Sequence, residues 1–338
     1  MEKLHKNLLF IPIIIVTLLI IALILSFTLA LYAPGDPVLG YLPEGPIDWE
    51  VYEQVKQALG LNYPLIIQFF GFLFRMLIGD WGRSFSIARM PVRDLIFLKL
   101  PRTIDLLLFP LIIGLILGIL LGIVSVKSRF KIASRSIQLF SLLGLTIPVF
   151  FLGMLFQFFL GYVNPIFPTS GFKTITYDDP PFVTGFRIFD ALIAGQYYLI
   201  ADYINHLILP WISLTIPILV TTILLVRMYL INQKNQPKAP EKRSIVPFAF
   251  HIALGFGLIF THIMRTEITF GLAGFGQLLL DAITNADYWT IVGSFYFVSI
   301  SFIIVISISL FLYVLYGYVK DQFISQRKMK NKKVIEVK

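Results

Sequence analysis

Leu106–Val126 of the sequence reads LLLFPLIIGLILGILLGIVSV and contains no charged side chain. A helix needs about 20 apolar residues to cross the roughly 30 Å hydrocarbon layer of a bilayer. Five further stretches meet this criterion: Leu8–Leu31, Ile137–Val163, Leu207–Val226, Ile245–Met264 and Thr290–Val319. A backbone in lipid must satisfy its own hydrogen bonds, which favours helices. The sequence therefore predicts an all-α, polytopic membrane protein with six transmembrane helices.

The composition agrees with this class. Of 338 residues, 57% are hydrophobic and only 14% are charged, against about 25% charged residues in an ordinary soluble domain. The surface of a water-soluble globule needs more polar residues than this chain offers. Because the chain has no Cys, a disulfide framework, a thiolate metal site and a cysteine nucleophile are excluded.

The charges are unevenly distributed along the chain. Segments 1–7, 127–136, 227–244 and 320–338 together carry 18 Lys and Arg residues and four acidic residues. The remaining segments, 32–105, 164–206 and 265–289, carry 10 basic and 15 acidic residues. Positive charge concentrates in cytoplasmic loops, so we expect both termini to be cytoplasmic. The basic charge indicates topology and contact with membrane lipid, and we expect no nucleic-acid partner.

This orientation divides the chain into three regions. We expect a cytoplasmic N-terminus over 1–7, a six-helix domain over 8–319 and a basic cytoplasmic tail over 320–338. The first outer loop, 32–105, is too long for a simple connection. Within it, Asp48–Leu59 is typical of a polar surface helix that begins at an Asp cap. Pro64–Ile78 is apolar but too short to span, which indicates an interfacial or re-entrant helix.

Catalytic and cofactor motifs are not evident in the sequence. No Gly is followed by Lys, which excludes the nucleotide-binding GxxxxGK[ST] pattern, and GxSxG and HExxH are also absent. The four His residues fall on separate segments, which favours hydrogen-bonding roles over a metal site. We therefore predict a protein that is not an enzyme and has no catalytic, cofactor-binding or metal-binding residues.

Two glycine patterns suggest functional or packing roles. Gly114, Gly118 and Gly122 are four residues apart, so they share one helix face and predict a close helix contact. The outer segment Arg265–Ala286 combines charges, clustered glycines and an amphipathic stretch, which suits an outer gate or docking surface. An ordinary tight connection is equally compatible with its composition. The candidate gate residues are Glu267, Phe270, Gly271, Gly274, Phe275 and Gly276.

Several motifs occur in an order that matches a known family. They are Ala33–Val38 (APGDPV), Leu59–Leu65 (LGLNYPL) with Gln68, Gly79–Ser84 (GDWGRS), Pro91–Val92, Leu100–Thr103 (LPRT), Leu142–Pro148 (LLGLTIP), Phe167–Gly171 (FPTSG), Thr266–Gly271 (TEITFG) with Gly274–Gly276, and Asp287–Tyr288. Through them the chain resembles the inner-membrane permease subunits of ABC importers for dipeptides, oligopeptides and nickel.

The resemblance implies a function and a set of partners. The implied protein is a permease subunit of an ATP-driven, binding-protein-dependent importer for peptides or a related small solute, in the inner or plasma membrane. The implied partners are a second permease subunit, two cytoplasmic ATPase subunits and an extracytoplasmic solute-binding protein, with ATP hydrolysis on the ATPase subunits.

One segment departs from the family pattern. Family members carry an EAA…G signature between the fourth and fifth spans, in the helix that docks on the ATPase, whereas Arg227–Ser244 has no EAA run, no Gly and two prolines. The possible ATPase contacts are then basic residues of the short inner loops: Lys127, Arg129, Lys131, Lys238, Lys242 and Arg243. The alternative is a degenerate, non-coupling structural or regulatory subunit of such a complex.

Overall fold

The structure is a computed structural model. It describes the backbone of residues 2–43, 45–235 and 245–336, and the side chains of residues 11–43, 45–231, 234, 255–315 and 318–319. The described backbone is helical and contains no β-strand. The prediction of an all-α protein is confirmed.

Eleven α-helices make up the described backbone. They are α1 (Glu2–Tyr32), α2 (Trp49–Ala58), α3 (Leu65–Ile78), α4 (Val92–Lys127), α5 (Lys131–Thr146), α6 (Val149–Phe156), α7 (Arg187–Ile193), α8 (Tyr197–Asn235), α9 (Ile245–Phe270), α10 (Phe275–Thr284) and α11 (Tyr288–Glu336). A π-helical segment, Gln157–Val163, continues α6. The predicted surface helix is confirmed as α2, because the Asp48 carboxylate accepts hydrogen bonds from the N–H groups of Glu50 and Val51.

Four helices of the described chain are long and apolar enough to cross a membrane. Their candidate spans are Ile11–Tyr32, Val92–Lys127, Tyr197–Ile231 and Tyr288–Leu315. A fifth is counted if α5 and the helix Val149–Val163 form one bent span. The predicted span Ile245–Met264 lies in α9, where side chains are described only from residue 255 onward. The count of six spans therefore stays a prediction.

The third predicted span is not one straight helix. The two helices that form it meet at an angle of 94°. The break falls at Ile147, whose backbone is extended (φ −85°, ψ 119°), followed by Pro148. Proline disfavours helical geometry in the residue before it and lacks the N–H that would continue the ladder. By contrast, α4 continues through Pro110 and α8 through Pro210 and Pro217.

The glycine face of α4 packs against α8. A Cβ atom on Gly114 would lie 2.8 Å from Cγ2 of Ile218, and one on Gly118 would lie 2.5 Å from Cβ of Thr222. Gly122 meets Val226 at 2.7 Å in the same way. Because the α8 partner advances by four residues with each glycine, the two helices run parallel at very close range for about two turns.

Helices α1 and α11 run antiparallel. Ile11 shares a buried cluster with Leu310 and Val314, whereas Leu23 lies in the cluster that contains Trp289 near the start of α11. The bundle therefore has two distinct ends. We call the end where α1 finishes and α4 and α11 begin the motif end. The opposite end, where α4 finishes and α5 begins, is the loop end.

Candidate functional site

Asp287, immediately before α11, organises part of the motif end. Its carboxylate accepts hydrogen bonds from the Ser84 hydroxyl at 2.5 Å and from the Ser86 hydroxyl at 2.8 Å. The backbone N–H groups of Phe85 and Ser86 each donate to it at 3.1 Å. Burial raises the pKa of Asp287, but these hydrogen bonds outweigh burial and hold the pKa below its usual value. The carboxylate thus ties the loop after α3 to the beginning of α11.

Trp289, in the first turn of α11, contacts the motif Ala33–Val38, which follows α1. Its indole N–H donates to the backbone oxygen of Pro37 at 2.7 Å. A Cβ atom on Gly82 would lie 2.3 Å from the indole ring, so only glycine fits there. Gly35, at φ +100°, approaches the backbone oxygen of Ala286 so closely that a Cβ would lie 1.9 Å away. The motifs that begin at Ala33 and Gly79 therefore both pack on the start of α11.

Arg75 of α3 joins the same assembly. Its guanidinium lies 4.7 Å from the centroid of the Trp289 ring and pairs with the Asp80 carboxylate at 2.8 Å. It also donates a hydrogen bond to the Tyr41 hydroxyl. By stacking on an indole ring and pairing with a carboxylate, the guanidinium connects α3 to the start of α11.

Glu267, near the end of α9, holds the N-terminus of α10. The residue is fully buried (0% exposed), and its Oε2 accepts a hydrogen bond from the N–H of Gly276. A Cβ on Gly274 would lie 2.2 Å from Oε1, so the turn before α10 passes directly over the carboxyl group. Oε1 has no hydrogen-bond partner among the described residues. Glu267 lies beyond the predicted span that ends at Met264. Burial raises the pKa of its carboxyl group to about 7.

The LPRT motif of α4 contacts the same turn. The Thr103 hydroxyl oxygen accepts a hydrogen bond from the N–H of Phe275 at 2.9 Å, and the Arg102 guanidinium donates to the backbone oxygen of Ala273 at 3.2 Å. Phe275 itself is fully buried. α4, α9 and α10 therefore meet at a single turn, in which the positions of Gly274 and Gly276 leave no room for larger side chains.

Phe270 links this turn to the segment that precedes α7. Its backbone oxygen accepts a hydrogen bond from the N–H of Gly171 at 2.9 Å, which connects the FPTSG motif to the end of α9. The Gln157 amide donates to the backbone oxygens of Thr269 at 3.0 Å and Thr169 at 2.7 Å. The segment after the Pro148 bend is thereby attached to the motif end.

The predicted gate residues thus fall in one region. Glu267, Phe270, Gly274, Phe275 and Gly276 lie together at the α9–α10 turn. Gly271 belongs to the same turn at φ +60°, a left-handed conformation that glycine adopts readily, but no described atom approaches within 4 Å of its Cβ position.

Sequence reasoning missed one buried contact beside this turn. Asp105 accepts a hydrogen bond from the backbone N–H of Arg187 at 2.8 Å, and Arg187 pairs with Asp179 at 2.7 Å. Asp105 directly precedes the longest apolar run of α4, and a charge at that position was the only local signal of a buried contact. Its partner lies 82 residues away, and no local pattern indicates that pairing.

The loop end presents a different surface. Lys127, Arg129 and Lys131 are exposed. The neighbouring apolar side chains of Phe130 and Ile132 are 78% and 82% exposed. The other possible ATPase contacts, Lys238, Lys242 and Arg243, lie outside the described residues.

The segment expected to be a loop from Arg227 onward is helical up to Asn235, because α8 continues to that residue. Arg227 therefore lies within α8, and its side chain points into the bundle. Its guanidinium donates to the backbone oxygen of Ser125 and to Oε1 of Gln138, both at 3.0 Å. It therefore clamps α4, α5 and α8 together at the loop end.

The fold and this site define a class, a multi-span helical membrane protein in which several family-like motifs gather at one end of the bundle. Among known proteins, no family model matches the chain. It is 27% identical over 325 residues to the Di/tripeptide transport system permease protein DppB of Pseudomonas aeruginosa, which covers 90% of this chain and 94% of that protein.

Two further relatives carry related names. The Probable peptide ABC transporter permease protein y4tP of Sinorhizobium fredii is 25% identical over 283 residues, covering 78% of this chain and 83% of that protein. The Oligopeptide transport system permease protein AppB of Bacillus subtilis is 32% identical over 187 residues, covering 55% and 53%. These relatives confirm the resemblance to permeases of dipeptide and oligopeptide ABC transport systems.

Proposed function

We propose that this chain is the transmembrane permease subunit of an ATP-driven, binding-protein-dependent importer for peptides or a related small solute. The observation that carries the proposal is the convergence of several family-like motifs at the motif end. Ala33–Val38 and Gly79–Ser84 pack on the start of α11, and Leu100–Thr103 packs on the α9–α10 turn. Relatives named as peptide transport permeases, similar over most of the chain, support the same conclusion.

In this proposal the chain carries no catalysis and supplies a gated path. The Glu267 carboxyl group holds α10, and the Asp287 carboxylate holds the start of α11. The close α4–α8 pair is a unit that moves as a rigid body. A change in the angle of this unit is transmitted to the α9–α10 turn through Thr103, because its hydroxyl binds the N-terminus of α10. The motif end then opens and closes as the outer gate.

The proposed orientation places both termini and the loop end in the cytoplasm, on the strength of the charge distribution. The test uses Ser136→Cys at the loop end and Ser170→Cys at the motif end, because both serines are exposed and the native chain has no Cys. In intact cells, an impermeant thiol reagent should label only the Cys at 170. Labelling of the Cys at 136 alone would show the opposite orientation and contradict the proposed one.

Coupling to the ATPase subunits, in this proposal, uses the exposed turn at the loop end. Lys127, Arg129 and Lys131 offer charge to acidic partner residues, and Phe130 and Ile132 offer apolar area that suits an interface core. A second permease subunit and an extracytoplasmic binding protein complete the proposed assembly.

A second candidate function is a non-coupling structural or regulatory subunit of the same assembly. It is favoured by the absence of an EAA run from Arg227–Ser244 and by the engagement of Arg227 within the bundle. The two candidates share a fold and differ in whether this chain binds an ATPase.

Purification in mild detergent with mass spectrometry of co-purifying chains and bound solute tests the proposal. An ATPase, a second permease and a peptide-like solute should co-purify. Recovery of the second permease with ATPase contact confined to that partner, shown by cross-linking, would favour the non-coupling candidate. Recovery of this chain alone, from membranes in which it is correctly inserted, would contradict both.

A further inference from the structure

Helix α3 is apolar but too short to cross a bilayer. Its 14 residues extend about 21 Å at 1.5 Å per residue, against the roughly 30 Å of a hydrocarbon layer. It packs against α1 through aromatic rings, because the Phe27 ring lies 5.3 Å from that of Phe69 and 5.5 Å from that of Phe72. Phe72 and Met76 are buried in the cluster that also contains Leu23 and Ala30 of α1.

The longer polar side chains of α3 both have partners within the protein. The Gln68 amide donates to the backbone oxygens of Leu61 at 3.0 Å and Tyr63 at 2.7 Å, just before the helix begins. Arg75 pairs with Asp80 and stacks on Trp289. The helix contains no other charged residue.

The opposite face of α3 is exposed and entirely apolar. Phe70 is 60% exposed and Phe74 is 63% exposed. The exposed large side chains of this face are Ile66, Ile67, Phe70, Phe74, Leu77 and Ile78, and Leu65 is exposed at the beginning of the helix. A contiguous apolar face of this kind is not left in water by a stable protein.

The position of α3 identifies what covers this face. Phe27 lies five residues before the end of the candidate span Ile11–Tyr32, which is about 8 Å along the helix from that end. On α1, the exposed apolar residues Ile20, Ile21 and Ile24 lie deeper in the same candidate span than Phe27, where lipid is expected to cover them. The exposed face of α3 is apolar like that surface, and no charged side chain marks it as the rim of a protein interface.

We propose that α3 is a half-span helix embedded in the bilayer leaflet at the motif end, with its exposed face covered by lipid acyl chains. Because Arg75 stacks on Trp289 and binds Tyr41, α3 also fastens the motif end to that leaflet. The inference requires membrane insertion of the chain and does not depend on the transported solute.

Spin-label accessibility in liposomes tests this inference. Phe70→Cys and Phe74→Cys place single labels on the exposed face of α3, since the native chain has no Cys. Ile24→Cys on α1 is the lipid-exposed control, and Gln54→Cys on the exposed side of α2 is the water-exposed control. Each variant is reconstituted with the chains that co-purify with it.

The labels at 70 and 74 should relax strongly with oxygen and weakly with a water-soluble nickel chelate, as the label at 24 does. Relaxation by the nickel chelate, as at 54, would place α3 in water and overturn the inference. Shielding from both reagents would mean that another protein chain covers the face, and it would overturn the inference equally. Ile66→Cys and Ile78→Cys, at the two ends of α3, repeat the measurement independently.

Discussion

Gly118→Ala tests the α4–α8 contact on which the proposed rigid unit depends. The new Cβ would lie 2.5 Å from Cβ of Thr222, 2.8 Å from its Cγ2 and 3.0 Å from the backbone oxygen of Leu219. Two of these atoms belong to a β-branched side chain and one to the backbone, so the helices must separate. Overpacking of a tight contact costs about 1–3 kcal/mol.

The matched control is Gly71→Ala on α3. Gly71 also lies within a helix, but no described atom approaches within 4 Å of its Cβ position. Both substitutions gain about 1 kcal/mol of helix propensity, so the difference between them isolates the steric cost. Gly71→Ala should therefore be neutral or stabilising, and Gly118→Ala should be less stable than it by about 1–3 kcal/mol.

Thermal unfolding in detergent, followed by tryptophan fluorescence, measures this difference. Trp211 of α8 stacks on Phe109 of α4 with ring centroids 4.6 Å apart, so its emission reports separation of the two helices. We expect a lower Tm for Gly118→Ala than for Gly71→Ala, with an altered emission maximum in the folded state. Equal Tm values and unchanged emission in both variants would refute the reasoning.

Three further predictions concern the two ends of the bundle. Asp287→Asn should lower the Tm at pH 7 by leaving donors from Ser84 and Ser86 without a carboxylate, at a cost of about 1–3 kcal/mol. Because the pKa of Asp287 is lowered in the folded state, its carboxylate contributes to stability at pH values above the ordinary pKa of about 3.9. This contribution is lost as the pH falls through the folded-state pKa. An unchanged Tm of Asp287→Asn at pH 7 would contradict the proposed role of the carboxylate. Glu267→Gln should flatten the pH dependence of the Tm. Because the folded pKa of Glu267 is raised to about 7, its contribution to stability is full below about pH 4.3 and declines as the pH rises through 7. Identical pH profiles of the Tm in the variant and the native chain would contradict the prediction. Replacing Lys127, Arg129 and Lys131 together by Gln should reduce ATPase co-purification, and we expect this association to weaken with salt. The comparison variant replaces Lys238, Lys242 and Arg243. Unchanged ATPase recovery in the first triple variant, with insertion confirmed, would favour the non-coupling subunit.

Much of the helical architecture could be predicted from the sequence because its signals are local. An apolar run of about 20 residues and an Asp at a helix start act over one or two turns, and they correctly indicate α1, α2, α4, α8 and α11. The effect of proline was not predictable in this way. Pro148 breaks its helix whereas Pro110 lies inside a continuous one, and the sequence offers no local distinction between the two.

The candidate site was predictable as a set of residues but not as an arrangement. The motifs identified the α9–α10 turn, and the glycines at 274 and 276 are required because the Glu267 carboxyl group lies beneath them. That Ser84 would bind Asp287, 203 residues away, depends on helix packing and has no local signature. The inward direction of Arg75 was signalled only weakly, by a single charge in an otherwise apolar helix.

ATP-dependent solute uptake in proteoliposomes tests the central claim most directly. The chain is purified with its partners, reconstituted with ATP on the side of the ATPase, and supplied from the other side with the binding protein and a mixture of short peptides. The account predicts ATP-dependent accumulation of at least one peptide, which is abolished when this chain is omitted and restored when it is added back. Equal peptide accumulation with and without this chain, in vesicles that contain the other subunits, would contradict the account.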